Sequence, residues 1–203
     1  RTGQRLSRRS GGAGAVSAPP KTRLVVTPEE AHAIRAAVIA ADLLGLGADC
    51  TAASEKDAQA LTHLLADPSI ATAIYDLPSP ITLQTVGAWI ADAETKRRRG
   101  EALLTIRIAT DDTIYSYSYF TIWPDLAAAE IAGGFRTERQ DAGLGKTGAL
   151  RSFAWMFEAF KVRLICVTAA LDNVRSARVI EAAGFTSMGE RQSRRADGSE
   201  RRS

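Results

Sequence analysis

The sequence predicts an α/β domain, a mixed and mostly antiparallel sheet flanked by helices, and three observations carry that expectation. Helical patterns fill the first half of the chain. Two strand patterns then meet at Asp111-Asp112 as an antiparallel hairpin, and the last third alternates strand, helix and strand, an order that needs a parallel crossover. The length of 203 residues, with 45% hydrophobic and 24% charged, suits one domain with a full core. No run approaches the ~18 apolar residues of a membrane span, and the first twenty residues lack the apolar block of a secretory signal. The expectation is a cytoplasmic protein that does not enter a membrane. Cys50, Cys166, His32 and His63 are too few and too scattered for a disulfide scaffold or a metal site, so no metal is expected.

The net charge of +3 points to nucleic acid until the charges are placed. Residues 1–21 hold five cations and no acid, and residues 194–203 hold four arginines against Asp197 and Glu200. Removing these nine cations and two acids from the totals of 26 and 23 leaves 17 against 21, a body of net charge −4 between residues 22 and 193. The basic ends therefore read as disordered tails, with no specific nucleic-acid partner.

The chain divides into a tail over 1–21, a helical extension over 22–47, the main domain over 48–193 and a second tail over 194–203. Arg23 to Thr27 reads as a short strand. Thr27-Pro28-Glu29-Glu30 places a capping residue, Pro at the first helical position and early acids, opening a helix that runs to Leu44 before Gly45 and Gly47. Asp49 to Ala53 reads as a strand, and Ser54 with Asp57 opens a helix through Leu65 that Asp67-Pro68 stops. Leu83 to Arg99 is a helix whose closing cations suit its dipole. Ala102–Thr110 and Thr113–Trp123 are strands, the second alternating Tyr115, Tyr117 and Tyr119 with serines, which puts the aromatics on one face. Ala127–Phe135 is a strand, Lys146–Phe160 a helix, Arg163–Ala169 an apolar strand containing Cys166, Asn173–Ala183 a helix stopped by Gly184, and Phe185–Arg191 a further strand.

The most informative stretch is Gln140-Asp141-Ala142-Gly143-Leu144-Gly145-Lys146-Thr147, between a strand and a helix. Glycines admit a ligand close to the backbone, and a helix start offers unpaired N–H groups and a positive dipole end, so the loop suits a phosphate. Gly145-Lys146-Thr147 ends like a Walker loop, but Gln140 stands where the first Walker glycine belongs, and only 56 residues follow Thr147.

Gln140-x-x-Gly143-x-Gly145 resembles instead the pyrophosphate loop of the GNAT superfamily of N-acetyltransferases. Asn173-x-x-Ser176-x-x-x-x-Glu181-x-x-Gly184-Phe185 resembles the last helix of the branch that includes the ribosomal-protein N-terminal acetyltransferases. Ala129-Glu130-Ile131-Ala132-Gly133 resembles its central strand, and the helices around Ser54 and Trp89 its opening. The resemblance spans residues 48–191.

It implies the GNAT fold, with a splayed central strand pair, and direct transfer of an acetyl group from acetyl-CoA to a primary amine. Phe135, Arg136 and Thr137 would meet the pantetheine arm. The loop backbone from Gln140 through Asp141, Ala142, Gly143, Leu144 and Gly145 to Lys146 would hold the diphosphate. Asn173 would hold pantetheine or cap its helix. Glu130, in an apolar strand where an ionised carboxylate is costly, would accept the amine proton. Many family members carry a Tyr where this chain has Ile180; Ser176, one turn earlier, would then donate to the leaving sulfur. Cys166 reads as core.

The acceptor is a peptide or protein N-terminus in this reading. The alternatives are a small amine (polyamine, amino acid or antibiotic) and an acyl-CoA-binding sensor without turnover. The branch usually has a final strand beyond its Gly-containing hairpin. Here only five residues follow Asp197-Gly198, which leaves the sheet edge open or completed by a second copy in a homodimer.

Overall fold

The computed structural model describes residues 17–71, 74, 77–136, 144–194 and 198–203. Its centre is a five-stranded sheet made of β1 (Cys50–Ala52), β2 (Ala102–Ile108), β3 (Ile114–Trp123), β4 (Ala128–Phe135) and β5 (Leu164–Cys166), in that spatial order. The first three pairings are antiparallel and β4–β5 is parallel, as the hairpin and the crossover require.

Helices cover both faces. On one, α2 (Ala58–Leu65) and α4 (Leu83–Arg98), with the short α3 (Pro68–Ala71), bury Leu61, Leu65, Val86 and Ile90 against Leu104, Ile106, Tyr117 and Tyr119 of the sheet. Trp89 stacks on Tyr119, with centroids 5.4 Å apart. On the other face, α1 (Pro28–Ile39) and α5 (Leu144–Phe160) pack Ile34, Val38, Trp155, Met156 and Phe160 against Leu103, Phe120 and Ile122. Phe120 lies between Trp155 and Phe160.

The helix starts follow their caps. Thr27 Oγ1 accepts from the Glu30 amide at 3.2 Å, and Asp57 accepts from the Ser54 amide and hydroxyl, each at 2.8 Å. The cations closing α4 pair backwards along the helix, Lys96 with Asp92 at 2.7 Å and Arg98 with Glu94 at 2.5 Å, so they serve the helix and its solvent.

Several boundaries differ from the sequence reading. Helix α1 stops at Ile39 instead of Leu44 because the Trp155 indole takes the Asp42 carbonyl at 3.0 Å. A Cβ on Gly45 would sit 2.6 Å from that ring, so only glycine lets the chain pass there. The 22–47 segment is part of the core, since Ile34 and Val38 are fully buried beneath the sheet. Arg23–Thr27 is not a strand; the Arg163 guanidinium holds the Val25 carbonyl at 2.7 Å, where a ladder partner would sit. Phe185–Arg191 is also outside any strand.

The chain end from 194, expected as a tail, forms instead a hairpin of β6 (Gln192–Arg194) and β7 (Glu200–Arg202), turning beyond Asp197 at Gly198, where φ is +87°. Leu171 donates to the Arg202 carbonyl at 3.2 Å, and Arg201 pairs with Asp172 at 2.5 Å, fastening the hairpin beside the end of β5. At the other end, residues 17–21 of the expected first tail are packed as well, with Ser17 and Pro20 buried.

Truncating the ring at the centre of the second core should be costly. Phe120→Ala is expected to lower unfolding stability by about 3–5 kcal/mol, read from the urea midpoint, while an exposed control such as Val25→Ala stays near wild type.

Candidate active site

Strand β4 stays with β3 through eight paired residues, from Ala128 to Phe135, but with β5 through only three. The last parallel pair is Glu130 with Cys166. Beyond it the two strands part, and Ile131 to Phe135 on one side face Val167 to Ala170 on the other across a cleft of about 390 Å³. Helix α5 borders the opening with Gly148, Ala149 and Ser152. Helix α6 (Val174–Ala182) closes the far side with Ser176, Val179 and Ile180.

Gly133 keeps β4 against β3 while its neighbours line the cleft. A Cβ there would come within 2.5 Å of the Tyr117 carbonyl oxygen, so a larger residue would push the strand out into the space.

The expected residues divide as follows. Phe135, Asn173 and Ser176 all line the cleft. Asn173 caps α6, its Oδ1 accepting from the Ser176 amide at 3.0 Å, so the capping alternative for this residue is realised at the cleft wall. Arg136 is turned the other way: its amide donates to the Tyr115 carbonyl at 2.9 Å and its Nε to the Ile114 carbonyl at 3.1 Å, which ties it to β3 instead of the cleft. Leu144, Gly145 and Lys146 form the first turn of α5, whose positive end thus borders the opening. Thr137, Gln140, Asp141, Ala142 and Gly143 lie outside the described residues.

Glu130 sits where pairing stops, 4% exposed, in register with Thr121 of β3. Its face is the one covered by α2 and α4, because Thr121, Tyr119 and Tyr117 alternate onto it. Cys166, across from it, has its thiol pushed up to about 12, first by burial and then by the Glu130 charge, with its own main-chain hydrogen bond and Arg191 opposing in part. That thiol stays protonated at neutral pH, which argues against a nucleophile, while Cys166 itself is half-buried and stands outside the core clusters.

Glu130, Cys166 and Arg191 therefore share one electrostatic neighbourhood, one residue before the cleft wall begins at Ile131 and Val167. Of the tyrosine stripe, Tyr117 reaches the cleft, while Tyr115 donates its hydroxyl to Asp49, which also holds Arg107 at 2.8 Å.

The sequence reading missed most of the cleft wall, namely Ile131 to Gly134, Val167 to Ala170 and the small residues of α5. The glycine pair within an otherwise apolar strand was the available signal, since glycine inside a strand marks a close approach by backbone or ligand.

Two measurements test this geometry. Gly148→Leu should fill the opening beside Phe135 and weaken coenzyme A binding by tenfold or more, about 1.4 kcal/mol, with little change in melting temperature; calorimetric titration reads the first and a thermal scan the second. Cys166 should resist iodoacetamide between pH 7 and 9 and react only as pH nears its raised value, followed by mass spectrometry with Cys50 resolved separately.

Comparison with known proteins agrees with the cleft. The family model described as an acetyltransferase (GNAT) domain matches residues 51–186. The ribosomal-protein-S5-alanine acetyltransferase of Vibrio fischeri superposes with a TM-score of 0.62 at 16% identity, covering 75% of this chain and 89% of that one. RimL, a ribosomal L7/L12 alpha-N-protein acetyltransferase solved with coenzyme A, gives 0.63 at 19% identity over 71% of this chain and 84% of its own. A spermidine N-acetyltransferase from Vibrio cholerae gives 0.56 at 15% identity over 70% and 82%. No curated protein sequence matches the chain. With the family model spanning most of the sequence and the strands parting where a coenzyme A arm would enter, the chain belongs to the GNAT family of acetyltransferases.

Proposed function

We propose that the protein moves the acetyl group of acetyl-CoA directly onto the amino terminus of a peptide or protein, with Glu130 as proton acceptor and Ser176 as donor to the leaving sulfur. The observation that carries this reading is the parting of β4 and β5 immediately after the Glu130–Cys166 pair. A thioester entering there would come close to a buried carboxylate. The residues present fit a coenzyme A molecule. The cleft offers the backbone of Ile131 to Gly134 to an extended pantetheine chain, as a sheet edge offers itself to an added strand. The first turn of α5 and the glycine loop before it would hold the diphosphate.

When bound, acetyl-CoA supplies the thioester. The chain's own residues supply the rest. An amine is mostly protonated at neutral pH, since α-amino groups titrate near 8, so its proton must leave before nitrogen can attack. Glu130, buried one residue before the cleft wall begins, would take that proton, directly or through water. Ser176, on the α6 wall, donates its hydroxyl hydrogen bond to sulfur as the carbon–sulfur bond breaks. Ile180, in the place of the family's usual Tyr, also lines the cleft but has no proton to give.

The body charge of −4 favours a cationic acceptor by steering. The structural relatives acting on ribosomal proteins and the one acting on spermidine bracket the acceptor classes.

The test is acetyl transfer across free-amine peptides, polyamines and aminoglycosides, read as release of the coenzyme A thiol. A peptide should show the highest kcat/KM; transfer to polyamines alone would reassign the acceptor, and cofactor binding without transfer to any amine would make the protein a sensor. Glu130→Gln should lower kcat by about 10²–10⁴-fold without changing coenzyme A affinity. The deficit should shrink as pH rises and the amine loses its proton unaided; an unchanged rate removes Glu130 from the mechanism.

A further inference from the structure

Residues 17–21 run across the face of the sheet from which an amine would reach Glu130. Ser17 is 7% exposed, and its hydroxyl oxygen lies 3.4 Å from Oγ1 of Thr121, the residue in register with Glu130 on β3. Arg191, whose charge is felt at Cys166 on the other flank of Glu130, donates to the carbonyls of Ala18 at 3.4 Å and Pro19 at 3.5 Å. Lys21 closes the segment, its ammonium donating to the carbonyls of Met188 at 2.7 Å and Glu190 at 3.3 Å. The segment is therefore fixed beside Glu130 from both neighbouring strands, through Thr121 on β3 and through Arg191 beside β5.

Two features of this contact resemble recognition of a foreign peptide more than a stretch of core. Arg191 reads the segment through its main-chain carbonyls, a mode that tolerates many side chains. The hydrogen bonds from Thr121 and Arg191 are longer than the usual range, and among the described residues no bond from main chain to main chain joins 17–26 to the rest of the fold. Beside Ser17 a cavity of about 320 Å³ continues along Trp89, Tyr119 and Thr121 towards Arg35 and Asp125. That space gives room to the first side chain of an incoming peptide.

We propose that the groove between Thr121 and Arg191 is the acceptor groove, that it takes an extended peptide, and that residues 17–21 occupy it as an internal strap which the acceptor displaces. The inference rests on the acetyltransferase reading with Glu130 at the reacting end. It adds that the resting protein is self-occluded on its amine side while its cofactor cleft stays open.

The paired variant Ser17→Cys/Thr121→Cys tests it, because the two hydroxyl positions are close enough for a disulfide to lock the strap in place. Oxidised, it should acetylate a free-amine peptide at a rate on the order of tenfold or more below its own reduced form, about 1.4 kcal/mol, with equal coenzyme A affinity in both forms. The single-cysteine proteins control for Cys50 and Cys166. Lys21→Ala, which loosens the strap without touching the core, should act oppositely and lower the peptide KM severalfold.

Hydrolysis of acetyl-CoA provides a readout that needs no amine: water oxygen adds to the carbonyl carbon, the carbon–sulfur bond breaks, and sulfur leaves with a proton. It should be slow in the locked form and faster in Lys21→Ala. Equal rates in the locked and reduced forms, with coenzyme A bound, overturn the strap and leave the acetyltransferase reading standing. No calorimetric heat with coenzyme A in wild type takes down that reading and the strap with it.

Discussion

The structure depends on the place where strand pairing is allowed to fail. A parallel pair normally continues until one strand ends, and β5 ends after three residues, at Cys166, while β4 continues to Phe135 on the strength of its ladder with β3. Among the described residues no strand lies beside the outer edge of β4 from Ile131 to Gly134. A main-chain polar group left without any partner costs about 1–3 kcal/mol, so an opened edge is retained only where water or a ligand supplies the missing bonds. The hydrophobic layers on both faces, above all Phe120 with Trp155 and Phe160, hold the rest of the sheet firmly enough to tolerate the opening.

That opening also divides the chemistry. The cofactor side is lined by small and aliphatic residues, which shape a channel and contribute few charges. Glu130 precedes this lining by one residue, on the sheet face of α2 and α4, among Thr121, Cys166 and Arg191. Alternation along β4 produces this arrangement, because neighbouring residues of one strand point to opposite faces. Glu130 therefore marks the last parallel pair and lies on the face of α2 and α4, onto which the cleft also opens past Ile70 and Tyr117. In the proposed reaction the donor and the amine would meet beside Glu130.

The features legible in the sequence were those with local causes. Capping at Thr27 and Ser54, the hairpin at Asp111-Asp112, the crossover helix and the parallel strand each follow from residues a few positions apart, and each is present. Features set by distant partners were not legible. The early stop of α1 is imposed by Trp155, and the hairpin at the chain end is fastened through Leu171 and Asp172. The placement of residues 17–19 depends on Thr121, which meets Ser17, and on Arg191, which meets Ala18 and Pro19, both far along the chain. At the site, Glu130, Phe135, Asn173 and Ser176 stood out because their chemistry or motif is distinctive. The alanines, glycines and valines that form most of the wall carry no such mark. Arg136 came only from the family resemblance, and no local signal told that its Nε would reach the Ile114 carbonyl and its amide the Tyr115 carbonyl of β3.

Helix α6 shows how far fold and ligand are joined. It is strongly two-faced, yet none of its residues is buried, and its apolar members Val179 and Ile180 end on the cleft instead of on other side chains. A helix of nine residues has little stability of its own. The Asn173 cap secures only its first turn, so the packing that an ordinary core helix draws from neighbours is here left to whatever fills the cleft. Binding energy from the cofactor would then stabilise the native state by mass action, most directly at this wall. Ser176 lies on the same helix. In the proposed reaction the helix without a buried residue of its own would thus also carry the hydroxyl that meets the cofactor's sulfur, and that geometry would be completed only as the cleft is filled.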